Sequence, residues 1–292
     1  MSVITIPWSP ADIDTIFWYD PSDINSIVTG SDSSIVSVAD KSGNGRILLP
    51  RVGQTSPYSG TRLLNDLNVI EWTGDNCLEV FSFVYDQANV PLNLAFVVYH
   101  DAAINQQEFY FSGTESADSS RIFGRRTDKG QYDLLGPNRI ITPINSILDN
   151  QPSLVVNQIN GANSLVRING EQKVSGDIGS NAFQLLRFGH NENEVSDLDG
   201  YFAEIIGFAD SSQQEIVEGY LAWKWGLVDL LPITHAYKTI NPLALPSTPE
   251  PTLVPTLEPT IEPTLAPTLE PQKRFNGRTL TEHQRMYLLG YF

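Results

Sequence analysis

Two pairs of acidic residues have the spacing that cleavage of a glycosidic bond would use. Glu192 and Glu194, and then Asp197 and Asp199, stand two positions apart, so on an extended strand each pair would share a face. Two carboxyls ~5–5.5 Å apart serve a retaining hydrolysis, and ~6.5–9.5 Å apart an inverting one. Both pairs fall in Asn191-Glu-Asn-Glu-Val-Ser-Asp-Leu-Asp199, whose Asn and Ser content reads as a loop. The same loop is rich in oxygen ligands, which makes Glu194, Asp197 and Asp199 candidates for Ca2+, although a solvated acidic loop is the plainer reading. A second candidate is Asp40-Lys-Ser-Gly-Asn-Gly45, with Asp40, Ser42 and Asn44 at the first, third and fifth positions of a calcium-type loop and glycine at the sixth. The twelfth position is Arg51, which cannot ligate, so a complete EF-hand is excluded and a glycine-rich surface turn is the plainer account. No other cofactor is called for.

Nucleophilic chemistry finds no support. His100, His190, His235 and His283 show neither metal-ligand spacing nor a Gly-x-Ser-x-Gly partner. The single cysteine, Cys77, excludes an intrachain disulfide framework and a Cys-based zinc site, and its setting, Asp75-Asn-Cys-Leu-Glu79, reads as a buried thiol at a strand start. No glycine loop with Lys-Ser/Thr is present to cradle phosphate. Recognition of a glycan would use aromatic platforms beside Asn or Asp on loops, and Trp72, Tyr58 and Tyr132 are the candidates, with Tyr85 also available. The expectation is a protein that binds and does not catalyse.

The elements that must carry these residues are mostly strands. Apolar residues make up 41% of the 292, and 21 glycines with 19 prolines suit many short strands joined by turns. Strands are expected at Leu94–His100, Glu108–Ser112, Ser119–Gly124, Ser153–Ile159, Phe183–Phe188 and Gly200–Phe208. Leu165–Ile168 and Glu171–Val174 flank Asn169-Gly170, the strongest two-residue hairpin signal in the chain. One helix is expected after them: Ser212-Gln-Gln-Glu215 fits a capping box, Ile216, Val217, Tyr220 and Leu221 recur at helical spacing, and Gly226 sits where a C-terminal cap belongs. Regular strands with turns between them predict an all-β, two-sheet antiparallel sandwich over residues 1–243.

Beyond residue 243 the composition changes. Proline recurs at 251, 255, 259, 263, 267 and 271 in Pro-Thr-Leu/Ile-Xaa units, which forbids helix and favours an extended path. At ~3.1 Å per residue this spacer would reach on the order of 65 Å. Residues 244–272 are therefore read as a stalk and 273–292 as an anchoring peptide, with Phe275, Met286, Tyr287, Leu288, Leu289, Tyr291 and Phe292 as its docking residues. The net charge of −16 is uneven. Residues 1–245 carry 14 basic and 29 acidic side chains, the stalk adds four acidic ones, and the final peptide is basic. So acidic a body will not grip phosphate backbones, and nucleic acid is not an expected partner. No run approaches ~18 apolar residues and the N-terminal segment has no leader-like pattern, so neither membrane insertion nor a signal peptide is expected.

Three segments carry a family resemblance. Gly200-Tyr-Phe-Ala-Glu-Ile-Ile-Gly-Phe208, Glu218-Gly-Tyr-Leu-Ala-Trp-Lys-Trp-Gly226 and Leu231-Pro-Ile-Thr-His-Ala-Tyr237 resemble the close of concanavalin A-like (laminin G-like) jelly-roll domains. The versions most similar occur in bacteriophage structural proteins and marine bacterial surface proteins. Trp8, Phe17-Trp-Tyr-Asp20, Ser22-Asp23 and Asp40–Gly45 agree at the opening, so the resemblance spans residues 6 to about 240 and leaves out the stalk and final peptide. It implies a jelly roll of two curved antiparallel sheets, with His235 as a packing residue. It does not fix a function, because the fold hosts lectins, glycosidases and structural modules. Glucanases of this superfamily carry Glu-x-Asp-x-x-Glu on one strand, a pattern absent here. Together with the missing leader and the three-part charge layout, the resemblance makes a virion surface protein the leading expectation: a capsid decoration, head fibre or tail-associated fibre. Its partners would be other virion proteins, a cell-surface glycan and further copies of itself. A secreted carbohydrate-binding adhesin at the cell surface is the alternative, and a glycoside hydrolase the third reading.

Overall fold

The apolar runs become strands of two facing sheets. The computed structural model describes residues 7–80, 83–85, 91–101, 108–113, 123–127, 129–180, 182–183, 185–189 and 198–245. Glu192, Glu194, Asp197, the proline repeat and the seven docking residues from Phe275 to Phe292 lie outside the described residues. Contacts divide the chain into one unit over Met1–Thr248 and a second over Pro249–Phe292, and all described residues belong to the first.

The chain opens with β1 (Thr15–Tyr19) and a small pair, β2 (Ile27–Thr29) and β3 (Ile35–Val38). Then come β4 (Leu49–Pro50), β5 (Tyr58–Leu64), β6 (Leu67–Thr73) and β7 (Leu78–Val80). The centre holds β8 (Leu92–His100), β9 (Glu108–Ser112), β10 (Phe123–Arg126), β11 (Tyr132–Leu135) and β12 (Arg139–Ile141). β13 (Pro152–Ile159), β14 (Ser164–Ile168), β15 (Glu171–Gly176), β16 (Leu186–Phe188) and β17 (Asp199–Phe208) precede the helix α1 (Gln214–Lys224). One sheet has the order β15-β14-β13-β8-β17-β6-β5, with β1 also paired to β17; the other has the order β12-β11-β10-β9-β16-β7-β4. Every pairing between these strands is antiparallel.

Burial explains why β8 reads as a continuous apolar run. Its Leu92, Leu94, Phe96 and Val98 face the second sheet, while Ala95 and Val97 lie in a second core beneath α1. A strand covered on both faces has no polar side to alternate with. β17 is covered in the same way, with one irregularity. Against β8 its register slips between Phe202 and Glu204, so Ala203 is an extra residue and Glu204 is turned toward the helix.

Glu204 is fully buried there and binds four groups. Trp18 Nε1 donates at 2.6 Å, the Tyr220 hydroxyl at 3.0 Å and Trp225 Nε1 at 2.8 Å, while Lys224 Nζ stands 2.7 Å away. Lys224 also meets Asp20 at 2.7 Å, and Asp20 meets Lys41 at 3.0 Å. Burial pushes the Glu204 carboxyl above its ordinary range despite Lys224. A second network fastens the middle of α1: Arg167 clasps Glu218 through Nε and Nη2 (2.8 and 2.9 Å), and His235 Nε2 donates to the same carboxylate at 3.1 Å. These two networks tie the helix to the sheet.

The hairpin signal and the helix end are found where the sequence places them. Asn169 and Gly170 take φ of +54° and +78° between β14 and β15, and Gly226 follows the helix at +72°. The helix start differs. Asp210, not Ser212, supplies the cap by accepting from the Ser212 N–H, a single 3-10 turn over Ser211–Gln213 follows, and Gln213 makes no side-chain cap bond. Asp210 stands two residues before Ser212 and accepts from its hydroxyl as well as its N–H, both at 2.8 Å, so the serine is engaged upstream and does not cap the helix.

Candidate functional site

The sequence candidates do not gather into one site. Asp40 spends its carboxylate on backbone donors: Oδ1 accepts from the Trp18 and Ser42 N–H groups, each at 2.9 Å, and Oδ2 from the Arg46 N–H at 3.0 Å. Ser42 Oγ and Asn44 Nδ2 in turn bond the Ile16 carbonyl. The loop is thus stitched to β1, and a cation would have to displace N–H donors that already face the oxygens. Among the described residues no three His, Cys, Asp or Glu groups converge as a metal cluster. Trp72 and Tyr132 offer a ligand no surface, for both are fully buried between the sheets in an aromatic chain Tyr132–Tyr110–Phe202–Trp72. Tyr58 is half-buried on β5, and Cys77 is buried and unoxidised.

Asp199 stands at the end of the sandwich where the polar interior begins. Burial, then the like charges of Asp101 and Glu108, push its carboxyl above the ordinary range. Behind it, His100 Nε2 lies 2.6 Å from the Tyr110 hydroxyl and Nδ1 meets the Glu108 carboxylate. Burial and Glu108 hold the Tyr110 phenol protonated, so the hydroxyl donates to Nε2 and the ring proton belongs on Nδ1. Arg126 stands 3.6 Å from Glu108 and pairs with Asp149. Glu108 Oε1, Arg126 Nε and Asn157 Oδ1 are buried and find no hydrogen-bond partner among the described residues. His100, Glu108 and Tyr110 have almost no accessible surface, so this nest packs inside the end of the sandwich.

A largely buried polar row lies on the outer face of the second sheet, open to solvent chiefly at Arg139. Alternation along β9–β12, with a slip in the β9–β10 register that lets the consecutive Tyr110 and Phe111 both face inward, sends those two, Tyr132 and Leu134 to the main core. It turns Phe109, Phe123, Arg125, Asp133 and Arg139 to the other face. Asp133 Oδ2 accepts from Arg125 Nε at 2.9 Å and its Oδ1 from Arg139 Nε at 2.6 Å. Arg125 lies over the Phe109 and Phe123 rings, whose centroids are 5.1 Å apart. On the neighbouring strands Arg187 pairs with Glu79 at 3.0 Å. Arg139 is the open member, with 46% of its side chain exposed. A buried carboxylate that holds the exposed Arg139 guanidinium in place can direct its remaining N–H donors to an oxygen-rich ligand. No sequence pattern singled out these residues, because they come from four separate strands. The apolar–polar–apolar pattern of Tyr132-Asp-Leu134, which sets Asp133 on the face opposite the core, was the available signal.

Comparison with known proteins bears on the fold alone. No family model matches the sequence, and no curated protein matches it. Among solved structures, the sialidase of Trypanosoma rangeli in complex with sialic acid superposes with a TM-score of 0.51 at 12% identity, over 76% of this chain and 36% of the sialidase. Domain 4 of AbnA, an extracellular arabinanase of Geobacillus stearothermophilus held with arabinotriose, gives 0.49 at 12% identity over 67% of this chain and 92% of that domain. The botulinum neurotoxin serotype D binding domain gives 0.48 at 14% over 71% and 51%. The chain spans about a third of the sialidase and half of the toxin domain. The sialidase likeness supports a common β-sandwich fold. No helix among the described residues is long and apolar enough to cross a membrane.

Proposed function

We propose that the sandwich is a lectin-like, glycan-binding head without catalytic activity, displayed on a virion by the proline-rich stalk and the 273–292 peptide. The observation that carries the binding reading is Arg139, the open guanidinium on the outer face of the second sheet, which Asp133 aims through a 2.6 Å hydrogen bond. Glycan binding is also in keeping with the sugar complexes formed by two of the proteins it superposes on, the sialidase and the arabinanase domain. The absence of a Glu-x-Asp-x-x-Glu strand and the burial of the His100–Glu108 pair favour binding over hydrolysis.

The test is a glycan array followed by titration of the strongest ligand. Arg139→Ala removes an exposed donor and should weaken binding by about tenfold, with little change in thermal stability. Failure of the intact chain to bind any glycan removes the reading. Display is tested separately. Deleting residues 273–292 should leave the head folded, by circular dichroism, and absent from purified particles by mass spectrometry. Normal incorporation of the truncated chain would refute the anchor.

A further inference from the structure

Two of the buried networks brace the walls of one cleft. It has a volume of about 440 Å3 and lies between the 143–153 loop and the β14–β15 hairpin, with Leu230 and Pro232 at its third side. That volume falls within the range of small-ligand sites.

The loop wall is fixed from behind. Asn145 N–H donates to the Lys129 carbonyl at 3.1 Å, Ile147 N–H to Gly130 at 2.8 Å and Asn150 N–H to His100 at 3.0 Å, while Asp149 pairs with Arg126 of the buried nest. A Cβ on Gly130, which has φ +61°, would stand 2.5 Å from the Ile147 oxygen, so only glycine lets these segments close. The hairpin wall is fixed by the other network. Arg167 Nη2 donates to the Gly170 carbonyl at 2.8 Å while the same guanidinium clasps Glu218. A Cβ on Gly170 would meet His235 and Leu231 at 2.9 Å, so the turn lies directly against the segment that follows α1.

The lining suits an uncharged, hydroxyl-bearing molecule. Exposed Asn145 and Gln151 contribute amides, each of which donates and accepts as a sugar hydroxyl does. Glu171 and Lys173 pair at 2.5 Å and are the only charged residues lining it among the described residues, whose formal charge there is nil in a chain of net −16. Ile144, 63% exposed, and Leu148 add an aliphatic rim. We infer that this cleft is a binding site for a neutral oligosaccharide, separate from the arginine-bearing face of the other sheet. The choice of ligand class rests on the glycan-binding reading; the site rests on its braced walls, which are ordered before a ligand arrives and so reduce the entropy lost on binding.

The experiment uses the full chain on an immobilised panel of neutral gluco-, galacto-, manno- and arabino-oligosaccharides beside acidic glycans, then solution titration of each hit. A neutral ligand should bind and be weakened about tenfold or more by Gln151→Ala and by Glu171→Ala, with unchanged melting temperature, and less than about twofold by Arg139→Ala. A neutral ligand sensitive to Arg139→Ala and indifferent to both cleft variants overturns the inference. Binding of acidic glycans alone also overturns it, and in both outcomes the glycan-binding reading stands. Binding of no glycan at all removes both.

Discussion

Lys224→Met would expose how much the helix-to-sheet junction depends on one ammonium. Lys224 is 12% exposed and stands 2.7 Å from both Glu204 and Asp20. Methionine keeps the length of the side chain and removes the charge, leaving the Glu204 carboxylate buried with three neutral donors and no cation. Breaking one side of a buried pair costs about 3–5 kcal/mol, because the other charge is left uncompensated. For a body of this size each kcal/mol lowers the melting temperature by about 2–4 °C, so a fall of roughly 6–20 °C is expected at pH 7. The pH dependence checks the cause. Burial already raises the Glu204 carboxyl, and a raised carboxyl contributes stability that is present below its unfolded value and lost as pH rises through its folded value. The deficit of Lys224→Met should therefore shrink as pH falls from 7 toward the unfolded value of ~4.3, where Glu204 folds protonated. Adding Glu204→Gln should recover part of the loss at pH 7. Urea unfolding of the two single variants and the double variant measures all three effects. A loss under ~1 kcal/mol, or one that neither acid nor Glu204→Gln relieves, would refute the reasoning.

Two further outcomes follow from the same geometry. Asp40→Ala removes the acceptor of three backbone N–H groups and should cost about 1–3 kcal/mol, while millimolar Ca2+ should leave the melting temperature of the unsubstituted chain unchanged. A Ca2+-dependent rise that Asp40→Ala abolishes would overturn the structural account of this loop. In acid, Asp20 acts opposite to Glu204. Burial pushes its carboxyl up, but Lys224, Ser22 and Lys41 outweigh burial and hold it below the ordinary range. Its contribution is present above the unfolded value of ~3.9 and is lost as pH falls through the lower folded value. Replacing Asp20 by Asn should therefore flatten the steep loss of stability below about pH 4, and an unchanged acid limb would count against this assignment.

How much of the molecule was legible depended on burial symmetry. β8 and β17 were readable because both faces are covered and their apolar runs are continuous. The β14–β15 turn was readable because Asn-Gly tolerates positive φ at both positions. β5 and β6 escaped notice, since Tyr58–Leu64 is only partly buried and its two-residue turn is Asn65-Asp66, at φ +51° and +61°, without the glycine that announces such turns. Among candidate site residues, Trp72 and Tyr132 misled because an aromatic near polar residues in sequence is indistinguishable from one that crosses the core. The Arg125–Asp133–Arg139 row and the cleft were hidden for another reason. Their members meet only through strand register, which composition and spacing along a single strand cannot supply.

The residues that carry the family resemblance are also those that close on one another. Trp18 and Asp20 from the opening segment, Glu204 from β17, and Tyr220, Lys224 and Trp225 from α1 form one buried network; Glu218 and His235 complete the other with Arg167. A network of buried charges is unforgiving, because each partner lost strands another, and this alone restricts what can occupy those positions. The resemblance therefore reports how the helix is fastened to the sheet and carries no message about a ligand. Arg125, Asp133, Arg139, Asn145, Gln151 and Glu171 lie outside those segments, on strands and loops whose identity the fastening does not restrict. One scaffold of this kind can hold heads with unrelated ligands, so the proposed glycan binding is to be tested at those side chains and not at the residues that fasten the helix.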